Sequence, residues 1–194
     1  MPIARLTFAV LLMMTAQAAA EDAAPRSPYA GEEAREIASL SASDLEELAR
    51  GGGWGLARAA ELNGVPGPAH LLELANEIDL DADQRATIAA IRDEMRAEAI
   101  AAGARFVAAE RALDAAFTDA VPDPKALARL VDEAGAARAA LRLVHLSAHL
   151  GTIPLLTEAQ VERYNVLRGY TEDPCKVVPK GHNAAMWRRH NGCG

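Results

Sequence analysis

Residues 81–118 read DADQRATIAAIRDEMRAEAIAAGARFVAAERALDAAFT, and their spacing decides the fold. Apolar side chains recur in steps of three and four at Ile88, Ile91, Met95, Ala99, Ala102, Phe106, Ala109, Leu113 and Phe117. A helix turns once in about 3.6 residues, so this period gathers them on one face. Asp81-x-x-Gln84 supplies cap chemistry at the start, because the aspartate can accept from the third helical N–H while the glutamine reaches back. Val121-Pro122-Asp123-Pro124 then breaks the run, and Asp123 suits the cap of a new helix with Pro124 in its first turn. Leu127, Leu130, Ala134, Ala137, Leu141, Val144 and Ala148 repeat the same steps. Two long helices joined by a short turn run antiparallel. The expected fold is therefore all-α, a long antiparallel helical hairpin with short flanking helices. Narrow, alanine-rich seams demand close packing, so further helices or a second copy should complete the core, and a homodimer is expected.

Upstream, residues 31–50 read as helix, with Ser43-x-x-Glu46 as a capping box that restarts it and Gly51-Gly52-Gly53 as its end. Trp54 to Leu62 reads as a short helix stopped by Asn63-Gly64. Val65-Pro66-Gly67-Pro68 is a rigid turn before another short helix, Ala69 to Glu77. Downstream, Gly151 to Pro154 ends the second long helix. Thr157-x-x-Gln160 is a capping box for a last helix reaching Arg168, stapled by Leu156 and Val161. From Tyr170 the chain reads as loop.

The N-terminus decides the expected compartment. Arg5, the apolar run Leu6 to Met14, and the small-x-small sites at Ala16-Gln17-Ala18 and Ala18-Ala19-Ala20 have the layout of a secretory signal peptide. That run is too short for a bilayer span of about 20 residues, and no later stretch is apolar enough for one. A periplasmic location follows, with no membrane span after cleavage. The expected division is a signal peptide at 1–20, an N-terminal helical segment and Gly/Pro-rich turn at 21–68, the hairpin domain at 69–170, and a tail at 171–194. Cys175 and Cys193 are the two cysteines, and in an oxidising compartment they should pair and close the tail. A metal thiolate site is the alternative, disfavoured by the wide spacing.

Aromatic residues are 4% of the chain, too few for a broad globular core and sufficient for rods packed lengthwise. The formal charge of -7, one unit more negative once Arg5 leaves, argues against nucleic acid or an anionic membrane as partner. No phosphate loop, GxSxG, haem CxxCH, HExxH or CxxC is present, so no enzyme is expected.

Leu-Thr-x-x-Gln caps frame the hairpin: Leu156-Thr157-Glu158-Ala159-Gln160 is an intact copy, and Leu80-Asp81-Ala82-Asp83-Gln84 is a degenerate one with aspartate in place of the threonine. With the signal peptide they resemble the periplasmic CpxP, Spy, ZraP and CnrX group over roughly residues 70–170. The resemblance implies either a heavy-metal sensor or resistance protein with a signalling partner, or an ATP-independent chaperone of unfolded clients in the envelope-stress response. Leu143-Val144-His145, with His149 four residues on, is similar to the metal-binding stretch of the CnrX-type sensors. There His149 stands in the place of a methionine, and Arg92, beside Asp93, in that of a glutamate ligand. Chaperones of this group are basic on the concave side, whereas here the arginines of the first long helix are matched or exceeded by acids.

His145 and His149 also stand on their own spacing. Residues four apart share a helix face, which suits two imidazoles on one ion, with His70, or a carboxylate from Asp93 or Glu94, completing the shell. Cu, Ni, Co or Zn would fit such donors. The bland alternative is two histidines bonding terminal carbonyls. His70 follows the Pro-Gly-Pro turn, which either aims it or merely turns the chain. His182, Met186 and His190 form a second candidate metal set if the tail is helical there, although Arg188 and Arg189 would repel a cation.

Overall fold

The computed structural model describes residues 25–193, so the signal peptide expected at 1–20 lies outside the described residues. Residues 25–33 belong to a unit of their own, a run of turns in which the Ala30 N–H reaches the Ser27 carbonyl at 3.1 Å. Residues 34–194 form the second unit and carry the helices.

Its frame is the hairpin. Helix α4 spans Ala82–Asp119 and α5 spans Pro124–Thr152, and the two pack along each other. Both starts follow the predicted chemistry. Asp81 accepts from the Gln84 N–H at 2.8 Å while the Gln84 side chain accepts from the Asp81 N–H at 3.0 Å. Asp123 accepts from Lys125 and Ala126, with Pro124 first in the helix. Ile88, Ala99, Ala102 and Phe106 are buried from α4, and Leu130, Ala134, Leu141 and Ala148 from α5. Phe117, expected in the seam, is 58% exposed, because the layer that covers the hairpin stops short of it.

That layer is the N-terminal segment. Ile37, Leu40, Leu48 and Leu56 join Ala99, Ala102, Phe106 and Leu141 in one apolar cluster. Ser39 donates to Glu110 at 2.6 Å, the Ala38 N–H reaches Asp114 at 3.2 Å, and Glu36 pairs with Arg111 at 2.6 Å. Helix α1, Ala42–Ala49, lies against α4 where Gly103 leaves room, since a Cβ there would stand 3.1 Å from the Leu48 carbonyl oxygen. The helix predicted over 31–50 is shorter than expected. Its capping box is Ser41 with Asp44, two residues before Ser43 and Glu46, and Ile37 and Leu40 form an isolated bridge ahead of it. The helix expected over 54–62 shrinks to α2, Arg58–Glu61. Trp54 (φ 42°) and Gly55 (φ 66°) take left-handed values that no helix accommodates. Tertiary contacts hold Trp54 there: its indole donates to Asp44 at 2.8 Å, stacks 5.5 Å from Phe106, and lies under Arg138.

The open end of the hairpin is closed by α3 (Pro68–Glu73), the turn to Leu80, and α6 (Glu158–Leu167). They contribute Leu71, Ala75, Ile78, Leu80 and Tyr164 to a second cluster around Ile88. The two glutamine caps meet here. Gln84 and Gln160 exchange amide hydrogen bonds at 2.9 Å, while Gln84 also donates to the Leu155 carbonyl and Gln160 to that of Asp79. Each glutamine thus caps its own helix and ties the two caps together. Cys175 and Cys193 are disulfide-bonded, and the tail between them holds α7, Ala184–His190, where loop was expected. Among the described residues no helix is long and apolar enough to cross a membrane.

Candidate functional site

The Pro-Gly-Pro turn is held face to face with the end of α5. His149 shares a hydrogen bond through Nδ1 with the Val65 carbonyl at 2.9 Å, and Thr152, fully buried, donates to the Pro66 carbonyl at 2.7 Å. Gly67 sits between, and a Cβ there would stand 2.6 Å from the His149 ring. The absence of a side chain lets the turn and the imidazole touch.

A carbonyl oxygen only accepts, so Nδ1 of His149 carries a proton and is committed to the turn, and Nε2 faces away from it. Nε2 lies 3.9 Å from Oε1 of Glu61. Glu61, at the end of α2, is the hub of the site. It accepts from His70 Nδ1 at 2.9 Å, from the Tyr164 hydroxyl at 2.9 Å and from the Tyr170 hydroxyl at 2.8 Å. Burial alone would raise its pKa, but these three donors outweigh it and hold the carboxyl at about 2. The same burial, with the Glu61 charge, pushes the Tyr164 phenol well above its ordinary range. His145, one turn before His149, is 3% exposed, and its Nε2 has no hydrogen-bond partner. Burial first, and the neighbouring His149 second, lower its pKa, against a smaller opposing pull from Glu47.

His70, His145, His149 and Glu61 all line one open cleft of about 600 Å³ beside the hairpin. The three histidines predicted as ligands therefore border one cleft. Asp93 does not. It is exposed on α4 and paired with the adjacent Arg92 at 2.8 Å, outside the cleft lining. Glu61 stands where that carboxylate was sought. Nothing in its spacing marks Glu61 in the sequence; the one signal for it there is a carboxylate on the same turn-rich segment as His70. Among the described residues, no three His, Cys, Asp or Glu side chains are already arranged around one point as a metal requires.

The second candidate set does not share a helix face. Asn183 caps α7, so His182 lies before the helix, its ring edge-on to Trp187 with centroids 5.0 Å apart. Met186 is 72% exposed, and His190 is exposed at the other end of α7.

Comparison with protein-family models, with curated proteins and with solved structures finds no match for this chain.

Proposed function

We propose that this chain is an exported, non-catalytic metal-binding protein of the sensor or resistance kind, taking Cu, Ni, Co or Zn on His149 and Glu61, with His145 as a third donor. The observation that carries the reading is His149. Histidine ligands characteristically anchor one ring nitrogen on a carbonyl and present the other to the metal, as His149 does through Val65. Two donors bound at about 2.0–2.1 Å to a tetrahedral ion stand roughly 3.3 Å apart. The Nε2–Oε1 separation of 3.9 Å needs only a small closure to reach that. A buried imidazole nitrogen without a partner, that of His145, is a further donor awaiting one.

Binding at Oε1 then competes with the His70 hydrogen bond to that oxygen, while Tyr164 and Tyr170 keep Oε2. A metal that favours the closed arrangement would shift the packing of α3, which carries His70, and of the Pro-Gly-Pro turn against the hairpin, and a signalling partner could read that shift. Calorimetric titration of the metal-stripped protein tests this. Glu61→Gln and His149→Gln should each weaken binding at least tenfold and Asp93→Asn leave it unchanged; equal affinities in all four proteins would overturn the assignment.

A second reading, a chaperone or a self-associating protein, is favoured by one observation. Leu143 and Leu150, one heptad apart on α5, are 64% and 68% exposed, and Phe117 and Val121 are exposed at the hairpin tip. Suppression of aggregation of an unfolded client, lost in Leu143→Ser/Leu150→Ser, would support it. A monomer in solution with no such suppression would end it.

A further inference from the structure

The cleft carries a feature that the metal reading does not use. Arg50, Arg58, Arg92 and Arg96 all line it, in a chain whose formal charge is -7. The carboxylate among its lining residues is Glu61, whose oxygens are already engaged by His70, Tyr164 and Tyr170. Arg92 is paired with Asp93, while Arg96 bonds only a neutral acceptor, the Arg50 carbonyl at 3.2 Å. Among the described residues Arg50, Arg58 and Arg96 have no carboxylate partner in the structure. An acidic protein has thus collected guanidinium groups without carboxylate partners around this cleft. Arg50, Arg58 and Arg96 are exposed, so water screens much of their mutual repulsion, and an anion entering the cleft meets a locally positive field.

The rest of the lining says what that something is. Leu62, Met95, Pro68 and Ala69 make its other surfaces apolar, and the run Gly51-Gly52-Gly53 borders it without contributing side chains beyond the backbone. Arginine presents a planar fork of donors that matches a carboxylate. A volume of about 600 Å³ lies within the ordinary range for small-molecule sites, which pair apolar walls with a few fixed polar groups.

We infer that this cleft binds an organic carboxylate with an aliphatic body, its head held by the arginines Arg50, Arg58 and Arg96 and its body against Leu62, Met95 and Pro68. The inference is independent of the metal, because its donors are the arginines and not the imidazoles.

The test is calorimetry on the full mature chain in EDTA, with decanoate, decanol and acetate as probes. Decanoate should bind; decanol and acetate should each bind at least tenfold more weakly, the first lacking the charge and the second the body. Arg50→Gln/Arg58→Gln should weaken decanoate at least tenfold with an unchanged far-ultraviolet circular dichroism spectrum. Arg129→Gln, which removes an exposed arginine outside the cleft lining, should leave decanoate affinity within about threefold. Absence of decanoate binding, equal affinity for decanol, or an unaffected arginine double variant would each overturn the inference. The comparison of the three probes needs no variant, so a misfolded variant cannot rescue the proposal.

Discussion

Nε2 of His149 stands 3.9 Å from Oε1 of Glu61, with its other nitrogen already committed to the Val65 carbonyl. Eighty-eight positions separate the two residues, and neither helix that carries them dictates the approach. The turn between them does, by hydrogen bonds from the end of α5 to the Val65 and Pro66 carbonyls.

Gly67 is the first place to test that geometry. In Gly67→Ala the new Cβ would fall 2.6 Å from a ring that is buried and hydrogen-bonded, so the imidazole or the turn must move. Overpacking of this kind costs about 1–3 kcal/mol. Thermal unfolding should show that loss, and Gly53→Ala, where a Cβ meets nothing within 4 Å, should not.

Glu61→Gln keeps the shape and removes the charge. Tyr164 and Tyr170 lose a charged acceptor, one of them in a fully buried position, and hydrogen bonds to charged groups contribute about 1.5–3 kcal/mol each. Denaturant unfolding should therefore place the variant roughly 2–4 kcal/mol below the parent. A change under about 0.5 kcal/mol would mean that the carboxylate is not the hub described.

Acid should unfold the metal-free protein in two stages. The pKa of His145 is lower folded than its ordinary 6.5, so the stability it lends is present above that value and is lost as pH falls through it. Glu61, ordinarily 4.5 and about 2 when folded, contributes stability above pH 4.5 that is lost toward pH 2. Melting temperature against pH should decline in both windows, and His145→Phe should abolish only the upper decline.

The reciprocal amide pair of Gln84 and Gln160 predicts coupling. Gln84→Ala and Gln160→Ala should each destabilise the fold, and a double-mutant cycle should give an interaction of about 0.5–1.5 kcal/mol. Strict additivity would show that the two caps act separately.

Reduction of Cys175–Cys193 should loosen the tail and leave the hairpin intact. Closing a loop of this size stabilises by up to about 3 kcal/mol in the chain-entropy model. Hydrogen exchange should quicken around α7 alone. A lower global melting temperature with faster exchange in α4 and α5 would show the tail to be part of the main cooperative unit.

Much of this was legible from residue order because it is local. The 3.6-residue period, the caps at Asp81, Asp123 and Thr157, and the break at Val121 to Pro124 each involve residues within a few positions of one another. Periodicity could place His145 and His149 on one helix face, since that spacing is also local. It could not tell Asp93 from Glu61. Both are carboxylates near helical segments, and only the folding of the Pro-Gly-Pro turn onto α5 selects the second while an arginine neighbour claims the first.

Residue order by itself determined the hairpin and its capping, because helix formation and its termination depend on neighbours along the chain. The tertiary structure alone decided that the N-terminal segment covers the seam at Leu48 and Leu56, that Trp54 adopts a left-handed backbone against Phe106, and that Glu61, three histidines and four arginines border one cleft. Those are contacts between segments far apart in the chain, settled by burial and hydrogen-bond satisfaction across the assembled fold, and no local spacing encodes them.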